Sequence, residues 1–524
     1  MNLGQARVRL VQVGAVLGTA ALVAGCGSQY RAVVTPVNPS GPAPQPTALV
    51  AVVSAPSPTS AGVATILDYS GDTIVATAPI GPGPSAFTVD GSGSTGYTIN
   101  SDGTLTNFPF SSNLQKKNVN YTTVPTTAQP VNLFSPSSGL WAADLCSFDP
   151  VKTACTWDTT PLSTNYSGVD VFTGSPQTFK LAIPLAPTPV AIVGPVTAGQ
   201  RNFAITQGNS QGGNVSSGMA CNTPSSVTVN GEVDALETTN TISAYIPVGI
   251  CPVYGVESGD LKRLFVLNRG SDTVSVINVQ SDALNTCAPF TDPNTGRTVT
   301  CHSTLPLSTA AVTATGITPP NGTAGMTTTA GPVYAEYNAA TNQLVIADYD
   351  GNTISIIDVS LDEYGNDSAT FGTTYTVPVG TNPASLTVLV DGSRAYTANQ
   401  ADSTVSIVNL ASHTLQKPAP LPVEGHPRTV VSSQNSSYGK VYVASPDSPY
   451  VTIIRTDEDI VDTTVLVEGN VVDVRVQYQN ATSGNTNTMS RVPGFGQPCN
   501  MPGLPAPTSG QTPLQACQQL PLPQ

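Results

Sequence analysis

Apolar and polar residues alternate in a phrase that occurs four times along the chain. The copies are LFVLNRGSDTVSVINV (264–279), LVIADYDGNTISIIDV (344–359), RAYTANQADSTVSIVNL (394–410) and the weaker KVYVASPDSPYVTIIRT (440–456). Each copy is typical of a β-hairpin: an apolar-rich strand, a polar turn and an alternating strand. Self-similarity of this kind indicates a repeat architecture, and the sequence therefore predicts an all-β protein.

Turns, most of which contain proline, precede these hairpins and allow the repeats to be counted. Seven such turns begin at residues 79, 125, 184, 247, 330, 378 and 422, and each leads into an apolar strand. An eighth inner strand, 467–478, lacks the strands that should follow it, whereas the stretch 48–81 lacks an inner strand. The two fragments would complete one shared blade. The prediction is a closed β-propeller of four-stranded blades, eight by this count, with seven as the alternative.

A single blade buries only one face of a small twisted sheet, so the ring becomes stable when each blade packs between two neighbours. Strand residues alternate between the two faces. The expected packing residues, or their alternating partners, are Val274, Val276, Ile354, Ile356, Val405 and Ile407.

These repeats resemble the YVTN family of bacterial β-propellers. The segments Val-Leu-Asn (266–268), Thr-Ala-Asn (397–399) and Val-Ala-Ser (443–445) occupy the position of the Tyr-Val-Thr-Asn motif, and the following VSVINV, ISIIDV and VSIVNL strands match as well. The resemblance extends over residues 48–478 and is strongest from 247 onward. It implies a propeller scaffold with varied roles. Similar propellers include lactonases that hydrolyse sugar lactones and metal- or quinone-dependent dehydrogenases.

The N-terminus predicts export. Arg7 and Arg9 precede an uncharged run, residues 10–25, that ends in Leu-Val-Ala-Gly before Cys26. This pattern resembles the bacterial lipobox, which implies a signal peptide over 1–25, cleavage, and acylation of Cys26. No aspartate follows Cys26, which implies the outer membrane if the cell is Gram-negative. Residues 26–47 are rich in Pro and Ser and predict an extended tether. The propeller is expected over 48–480, followed by a Pro/Gly/Gln-rich tail, 481–524.

Charge excludes one class of partner. The formal net charge is −14 and only 10% of residues are charged. Nucleic-acid binding requires basic stripes that neutralise phosphates, so we expect no nucleic-acid partner.

Cysteine usage also favours an oxidising compartment. Eight cysteines remain besides Cys26, and they form four neighbouring couples along the chain. The expected disulfides are Cys146–Cys155, Cys221–Cys251, Cys287–Cys301 and Cys499–Cys517. Nearest-neighbour pairing is one of many arrangements that eight cysteines allow. The absence of CxxC spacing disfavours a structural zinc site.

Three insertions interrupt the repeat, at 146–164, 207–233 and 281–329. They contain five of the candidate disulfide cysteines: Cys146, Cys155, Cys221, Cys287 and Cys301. Binding residues concentrate on loops held by a rigid scaffold. Neutral length variation, stabilised by disulfides, is the alternative interpretation of these segments.

Catalytic motifs are weak. The GNSQG segment around Ser210 has no helix pattern after it, so we interpret Ser210 as a loop serine. The histidines are His302, His413 and His426, and each lies in a turn or insertion. We predict no catalytic residue, no metal and no cofactor.

His426 is the histidine of most interest because its Gly-His-Pro turn leads into an inner strand, which places it near a mouth of the ring with Arg428. Polar residues of the repeated turns complete the set of candidate ring-mouth binding residues, although such residues are also typical of hairpin turns. These are Asn268, Arg269, Asp348 and Asn399.

The leading hypothesis is therefore a monomeric, lipid-anchored, extracytoplasmic propeller that acts as a binding or scaffold protein at the cell envelope. Its partners would be the membrane, through Cys26, and an envelope protein or polysaccharide. The alternative is a lactonase-like hydrolase or an oxidoreductase with its active site at the axial mouth.

Overall fold

The computed structural model describes residues 49–477 except for 125–127, 129, 137–138, 146–166, 196–200, 212, 214–220, 222–226, 292–295, 308–329 and 434–438. The chain divides into Met1–Pro46 and Thr47–Gln524, and all described residues belong to the second unit. The expected signal peptide, Cys26, the tether and the tail lie outside the described residues.

Antiparallel β-strands form almost all of the regular structure. Strands β1 to β3 are Leu49–Ala55, Ala61–Asp68 and Thr73–Pro82. Three complete blades follow. Blade 1 contains β4 to β7, which are Ala86–Val89, Thr95–Ile99, Thr104–Pro109 and Asn120–Thr123. Blade 2 contains β8 to β11, which are Pro130–Phe134, Leu140–Asp144, Gly168–Thr173 and Thr178–Pro184. Blade 3 contains β12 to β15, which are Pro189–Val193, Asn202–Thr206, Asn230–Leu236 and Ile242–Ile250.

Blade 4 carries an additional short strand. It contains β16 to β19, which are Pro252–Glu257, Arg263–Asn268, Thr273–Asn278 and Ala283–Leu284. A separate hairpin follows, formed by β20 (Phe290–Thr291) and β21 (Thr298–Val299). Strand β22, Thr304–Pro306, then returns to pair with β18.

Blades 5 to 7 have the clearest repeats. Blade 5 contains β23 to β26, which are Pro332–Asn338, Gln343–Asp348, Thr353–Asp358 and Thr374–Pro378. Blade 6 contains β27 to β31, which are Pro383–Val388, Arg394–Asn399, Thr404–Asn409, Thr414–Leu415 and Leu421–Pro422. Blade 7 contains β32 to β35, which are Thr429–Ser432, Lys440–Ala444, Tyr450–Arg455 and Ile460–Leu466.

Blade 8 closes the ring with strands from both ends of the described chain. Its inner strand β36, Asn470–Val476, pairs antiparallel with β1, and Val50 lies opposite Val476. Each inner strand lies against the inner strand of the next blade, and β36 lies against both β32 and β4. The prediction of eight blades with a shared last blade is confirmed, and the alternative of seven is wrong.

The hydrophobic core lies between blades, as the repeat pattern requires. One cluster joins blade 6 to blade 7 through Tyr396, Val405, Val430 and Val441. All six expected packing residues are at most 1% exposed. Stacking of neighbouring sheets therefore buries the alternating apolar residues of the repeated hairpins.

Candidate functional site

Two kinds of turn meet on one face of the ring. The first connects one blade to the inner strand of the next blade, and the second joins the second and third strands of a blade. In blade 4, the Arg269 N–H donates to the Cys251 carbonyl over 2.9 Å and so links the two kinds. We call this side the upper face. The insertion 207–233 begins on the upper face, where the Gly208 N–H donates to the Pro187 carbonyl over 2.9 Å, whereas the insertion 146–164 lies outside the described residues.

The repeated asparagines of the upper face have internal partners. Asn268 Nδ2 donates to Thr273 Oγ1 and Ser275 Oγ over 3.1 and 2.9 Å. Asn399 makes the same two contacts with hydroxyls of β29. In blade 5 the position is occupied by Asp348, whose Oδ2 accepts from Ser355 over 2.6 Å. All three residues are fully buried. Their contacts hold the second and third strands of one blade together.

Arg269 links two blades. Its Nε and Nη2 donate to the two carboxylate oxygens of Asp350 over 3.0 and 2.9 Å, and its Nη1 donates to the Cys221 carbonyl over 2.7 Å. The side chain is only 3% exposed. A bidentate guanidinium–carboxylate pair has well-defined geometry. These contacts support a structural role for Arg269 between blades 4 and 5.

His426 is held by a carboxylate of its own blade. Its backbone N–H donates to Asp447 Oδ1 over 2.7 Å, and its Nδ1 lies 2.5 Å from Asp447 Oδ2. Gly425, with φ +68°, precedes it in the left-handed conformation. The imidazole is 28% exposed. Asp447 therefore orients a half-buried histidine on the upper face, whose Nε2 has no hydrogen bond to another described residue.

In several blades, a side chain of the inner strand reaches the backbone edge of the next inner strand. Asn132 Oδ1 accepts from the Ile192 N–H over 3.0 Å. Glu336 Oε2 accepts from the Val388 N–H over 2.8 Å. Because an inner strand has no strand partner on its axial side, these contacts identify the side chains that line the axis of the ring.

Arg428 belongs to this axial set. It lies two residues beyond His426 and is 1% exposed. Its Nη2 donates to the Val472 carbonyl of β36 over 2.6 Å. Among the described residues, neither its Nε nor its Nη1 has a hydrogen-bond partner. A buried guanidinium with unused donors is costly, since buried polar groups normally have partners.

Two charged residues of β36 accompany Arg428 and were not singled out in the sequence. Arg475 Nη2 lies 2.9 Å from Asp473 Oδ2 and also donates to the Phe87 carbonyl over 3.4 Å. Both side chains are buried. The one sequence signal was an Asp-Val-Arg segment within a strand otherwise rich in valine. We call Arg428, Asp473 and Arg475 the axial cluster.

Burial is the main influence on the pKa values of Arg428 and Asp473 in the axial cluster. Desolvation lowers the pKa of Arg428 to about 10, although Asp473 opposes this effect. Desolvation also raises the pKa of Asp473, while Arg475 and Arg428 act to lower it. With both arginines protonated and Asp473 ionised, the cluster carries one net positive charge.

Ser210 also contacts a carboxylate on the upper face. Its Oγ donates to Glu232 Oε2 over 2.8 Å. Glu232 is followed two residues later by Asp234, whose Oδ2 accepts from the Ala186 N–H over 2.9 Å. Burial, followed by the charge of Glu232, raises the pKa of Asp234 well above its ordinary value. Ser210 therefore ties the polar insertion to a buried pair of carboxyl groups.

The remaining histidines lie elsewhere. His302 Nδ1 is 2.9 Å from Asp367 Oδ2. Asp367 also accepts from Asn285 and Arg263, which places it in a buried network on the opposite face. His413 stacks on Tyr375 with 3.6 Å between ring centroids, and desolvation lowers its pKa. The structure does not bring these histidines together with His426.

Two of the four expected disulfides fall within the described residues, and both are present. Cys221–Cys251 joins the insertion of blade 3 to the turn that leads into blade 4, and Cys287–Cys301 closes a loop of blade 4. The predicted pairs Cys146–Cys155 and Cys499–Cys517 lie outside the described residues.

Within the described ranges, no group of three or more His, Cys, Asp or Glu side chains is arranged to hold a metal ion. The same part of the chain contains no helix that is both long and apolar enough to span a membrane.

The strand order and the ring closure define the chain as an eight-bladed β-propeller. A scan against protein-family models finds no match. A search of curated proteins also finds no match.

Solved structures of other propeller proteins are similar at low sequence identity. Apo AztD from Citrobacter koseri is 11% identical, with a TM-score of 0.49 over 82% of this chain and 98% of that one. The periplasmic gluconolactonase PpgL of Pseudomonas aeruginosa is 14% identical, with a TM-score of 0.43 over 82% and 99%. The dihydro-heme d1 dehydrogenase NirN is 14% identical, with a TM-score of 0.49 over 87% and 78%.

Proposed function

We propose that the protein is a lipid-anchored, extracytoplasmic β-propeller that binds a ligand at the upper mouth of its ring, beside blades 7 and 8. The observation that carries the proposal is Arg428, a buried guanidinium at the axis with two nitrogens that have no partner among the described residues. A ligand would supply the missing partners.

Neighbouring geometry supports this location. His426 lies in the same turn as Arg428, and Asp447 fixes its orientation. Both residues are held by strands of a closed ring, so a binding site here would be preorganised. An ordered site loses less conformational entropy on binding than a long loop does.

The proposed location outside the cytoplasm, at the membrane, rests on independent features. The lipobox-like segment before Cys26 implies acylation, and the Pro/Ser-rich segment 26–47 would hold the ring away from the membrane. The disulfides Cys221–Cys251 and Cys287–Cys301 favour an oxidising compartment. The resemblance to YVTN propellers favours a binding or scaffold role at the envelope, with a protein or a polysaccharide as partner.

The test compares ligand capture by the full chain with capture by mouth variants. Immobilised wild-type protein and the His426→Ala and Arg428→Gln variants are exposed to separated polysaccharide and protein fractions of the cell envelope. We expect one component to bind the wild type and to be lost from the mouth variants. Arg455→Gln removes a cation from the exterior of the same blade and should retain it. Equal capture by all four proteins would contradict binding at this mouth.

The oriented His426 favours one second candidate, hydrolysis of an ester or lactone. In that reaction His426 would take a proton from water as the water oxygen attacks the carbonyl carbon. The guanidinium of Arg428, two residues further along the chain, would stabilise the negative charge on the carbonyl oxygen. Proton transfer from His426 to the departing oxygen would complete the cleavage. Hydrolysis of a lactone panel that is lost in both His426→Ala and Asp447→Asn would support this candidate, and activity retained in both would exclude it.

A further inference from the structure

We propose that the ligand group bound at the upper mouth is a carboxylate, and that Arg428 binds it. This inference rests on the proposed function and specifies its chemistry. It predicts carboxylate-bearing ligands, such as an acidic sugar, in preference to neutral ligands or to dianions.

The charges of the axial cluster do not balance. Arg428 and Arg475 contribute two positive charges to the axial cluster, and Asp473, 2.9 Å from Arg475, contributes one negative charge. Arginine does not discharge readily in proteins, so Arg428 cannot escape the cost of burial by losing its proton. The cluster therefore requires one additional negative charge to become neutral.

Arg428 has more hydrogen-bond donors than the described residues use. A guanidinium has five N–H groups in one plane. In Arg428 the single hydrogen bond to another described residue goes from Nη2 to the Val472 carbonyl over 2.6 Å. Nε and Nη1 remain, and Nη2 has a second hydrogen. A carboxylate is planar and accepts two parallel hydrogen bonds from such a fork.

The net charge of the axial cluster favours a carboxylate over a phosphate or sulfate dianion. A monoanion brings the axial cluster to neutrality, whereas a dianion would leave one buried negative charge beside Asp473. Like charges at short distance in a buried environment are strongly unfavourable. Asp473 therefore acts as the residue that selects against dianions.

His426 defines the outer end of the proposed site. Because its imidazole is 28% exposed and Arg428 is 1% exposed, the two residues lie at different depths of one turn. A ligand with its carboxylate at Arg428 would place its remaining polar groups towards His426 and the surface. This arrangement suits a monosaccharide acid or the acidic residue of a glycan chain.

The first experiment measures binding to the full chain by calorimetry at constant ionic strength. Sodium glucuronate and sodium acetate are the carboxylate probes, sodium sulfate and phosphate the dianion probes, and glucose the neutral probe. We expect glucuronate to bind more tightly than glucose, sulfate or phosphate. Arg428→Gln should weaken glucuronate binding about tenfold or more, since a charge-assisted hydrogen bond is lost. Arg455→Gln should leave it unchanged.

A second variant tests whether Asp473 disfavours the binding of dianions. Asp473→Asn raises the charge of the axial cluster to two positive charges, which a dianion can balance. We expect this variant to gain sulfate binding that the wild type lacks. Sulfate binding that is the same in both proteins would overturn the role of Asp473.

Folding is checked with the ligand-free proteins. Removing an unpaired buried charge should leave the melting temperature of Arg428→Gln equal to or above that of the wild type. A large decrease would show that Arg428 is a structural residue and would overturn the inference. A neutral ligand that needs both His426 and Arg428 would also overturn it, while leaving the proposed function intact. If no ligand bound at the upper mouth, both the inference and the proposed function would be contradicted.

Discussion

Gly249 and Asn268 are in direct contact at the boundary between blades 3 and 4. The Gly249 N–H donates to Asn268 Oδ1 over 3.1 Å, and a Cβ placed on Gly249 would lie 2.7 Å from Asn268 Cγ. The same close approach recurs between Gly380 and Asn399, where the corresponding distance to Asn399 Cγ is 2.6 Å, although the Gly380 N–H donates instead to Ser406 Oγ over 3.3 Å. The glycine of the repeated Pro-Val-Gly phrase is therefore required because the asparagine of the next blade packs against its backbone.

Replacing this glycine should destabilise the ring. Gly380→Ala forces the Asn399 side chain, which also donates to Ser406, out of its site. We expect a loss of about 1–3 kcal/mol in the free energy of unfolding, as for other overpacked positions. Gly71→Ala is the matched control because its added Cβ meets other atoms at 3.5 Å or more. Urea unfolding of the two variants checks the difference, and equal midpoints would contradict it.

Asp348→Asn should change the pH dependence of stability. Burial raises the pKa of Asp348 from its ordinary value of 3.8 to about 7, despite hydrogen bonds from Ser355 and Thr353. A raised carboxyl pKa stabilises the folded state at low pH, and this contribution is lost as the pH rises from about 4 through about 7. The Asp348→Asn variant has the residue found at the equivalent position of blade 4, Asn268. It has no carboxyl group to titrate at this position, so its stability does not decline for this reason.

We therefore expect Asp348→Asn to be more stable than the wild type at pH 8.5, by on the order of 4 kcal/mol at most. The difference should disappear near pH 4. Glu257, whose pKa burial raises to about 8, is present in both proteins and should give both a further decline at high pH. Denaturant midpoints across this range provide the measurement. Parallel curves for the two proteins would contradict the prediction.

Lys440 should be important for ring closure. Its Nζ contacts both Asp72 carboxylate oxygens over 2.7 Å and the Tyr69 carbonyl over 2.8 Å, which links blade 7 to the N-terminal strands. Lys440→Met leaves the Asp72 carboxylate, which is 12% exposed, without its cation. We expect a loss of up to about 3 kcal/mol, since breaking a fully buried pair costs about 3–5 kcal/mol.

A double-mutant cycle separates the contribution of the Lys440–Asp72 ion pair to stability from the contribution of side-chain packing. Asp72→Asn keeps a residue that tolerates the φ of +51° found here. Combined with Lys440→Met, it should recover part of the loss, because no unpaired charge remains. Strictly additive losses in thermal unfolding would show that the ion pair does not contribute to closure.

Cys26→Ser tests the proposed anchor. The variant should leave the membrane fraction and should not incorporate labelled fatty acid, because the acylated thiol is absent. Cys146→Ser, a cysteine of the first insertion, serves as the control and should stay in the membrane fraction. Retention of the Cys26→Ser protein in membranes would contradict acylation at this position.

Disulfide mapping tests the cysteine pairs. Non-reducing peptide mapping of the exported protein should give the cross-links Cys221–Cys251 and Cys287–Cys301 present in the structure. We expect Cys146–Cys155 and Cys499–Cys517 as well. A cross-link between Cys155 and Cys499, for example, would show that pairing by sequence neighbours fails for the latter four cysteines.

Local patterns were sufficient to predict the fold. A blade is a consecutive meander, so its strands, turns and alternating faces are encoded within one repeat length. The shared blade followed from the same rule, since residues 48–81 and 467–478 each lacked what the other supplied. The pairing of β1 with β36 confirms it.

Site residues were less predictable, because a side chain's partners come from distant positions. Asn268, Asp348 and Asn399 were candidates for binding, yet their hydrogen bonds lie inside their blades. Asp350, the partner of Arg269, belongs to the next blade. The sequence pattern around a polar turn residue is the same whether its side chain faces a ligand or a neighbouring strand.

By itself, the sequence predicted eight blades, with seven as the alternative, and it determined the closing strands and the position of His426 and Arg428 at the start of an inner strand. The tertiary structure alone decided that Asp447 orients His426, and that Arg428 meets Val472, Asp473 and Arg475 within the ring. The physical reason is that periodicity specifies which face a residue occupies. Its charge balance and its unused hydrogen-bond donors depend on residues that only the closing of the ring brings together.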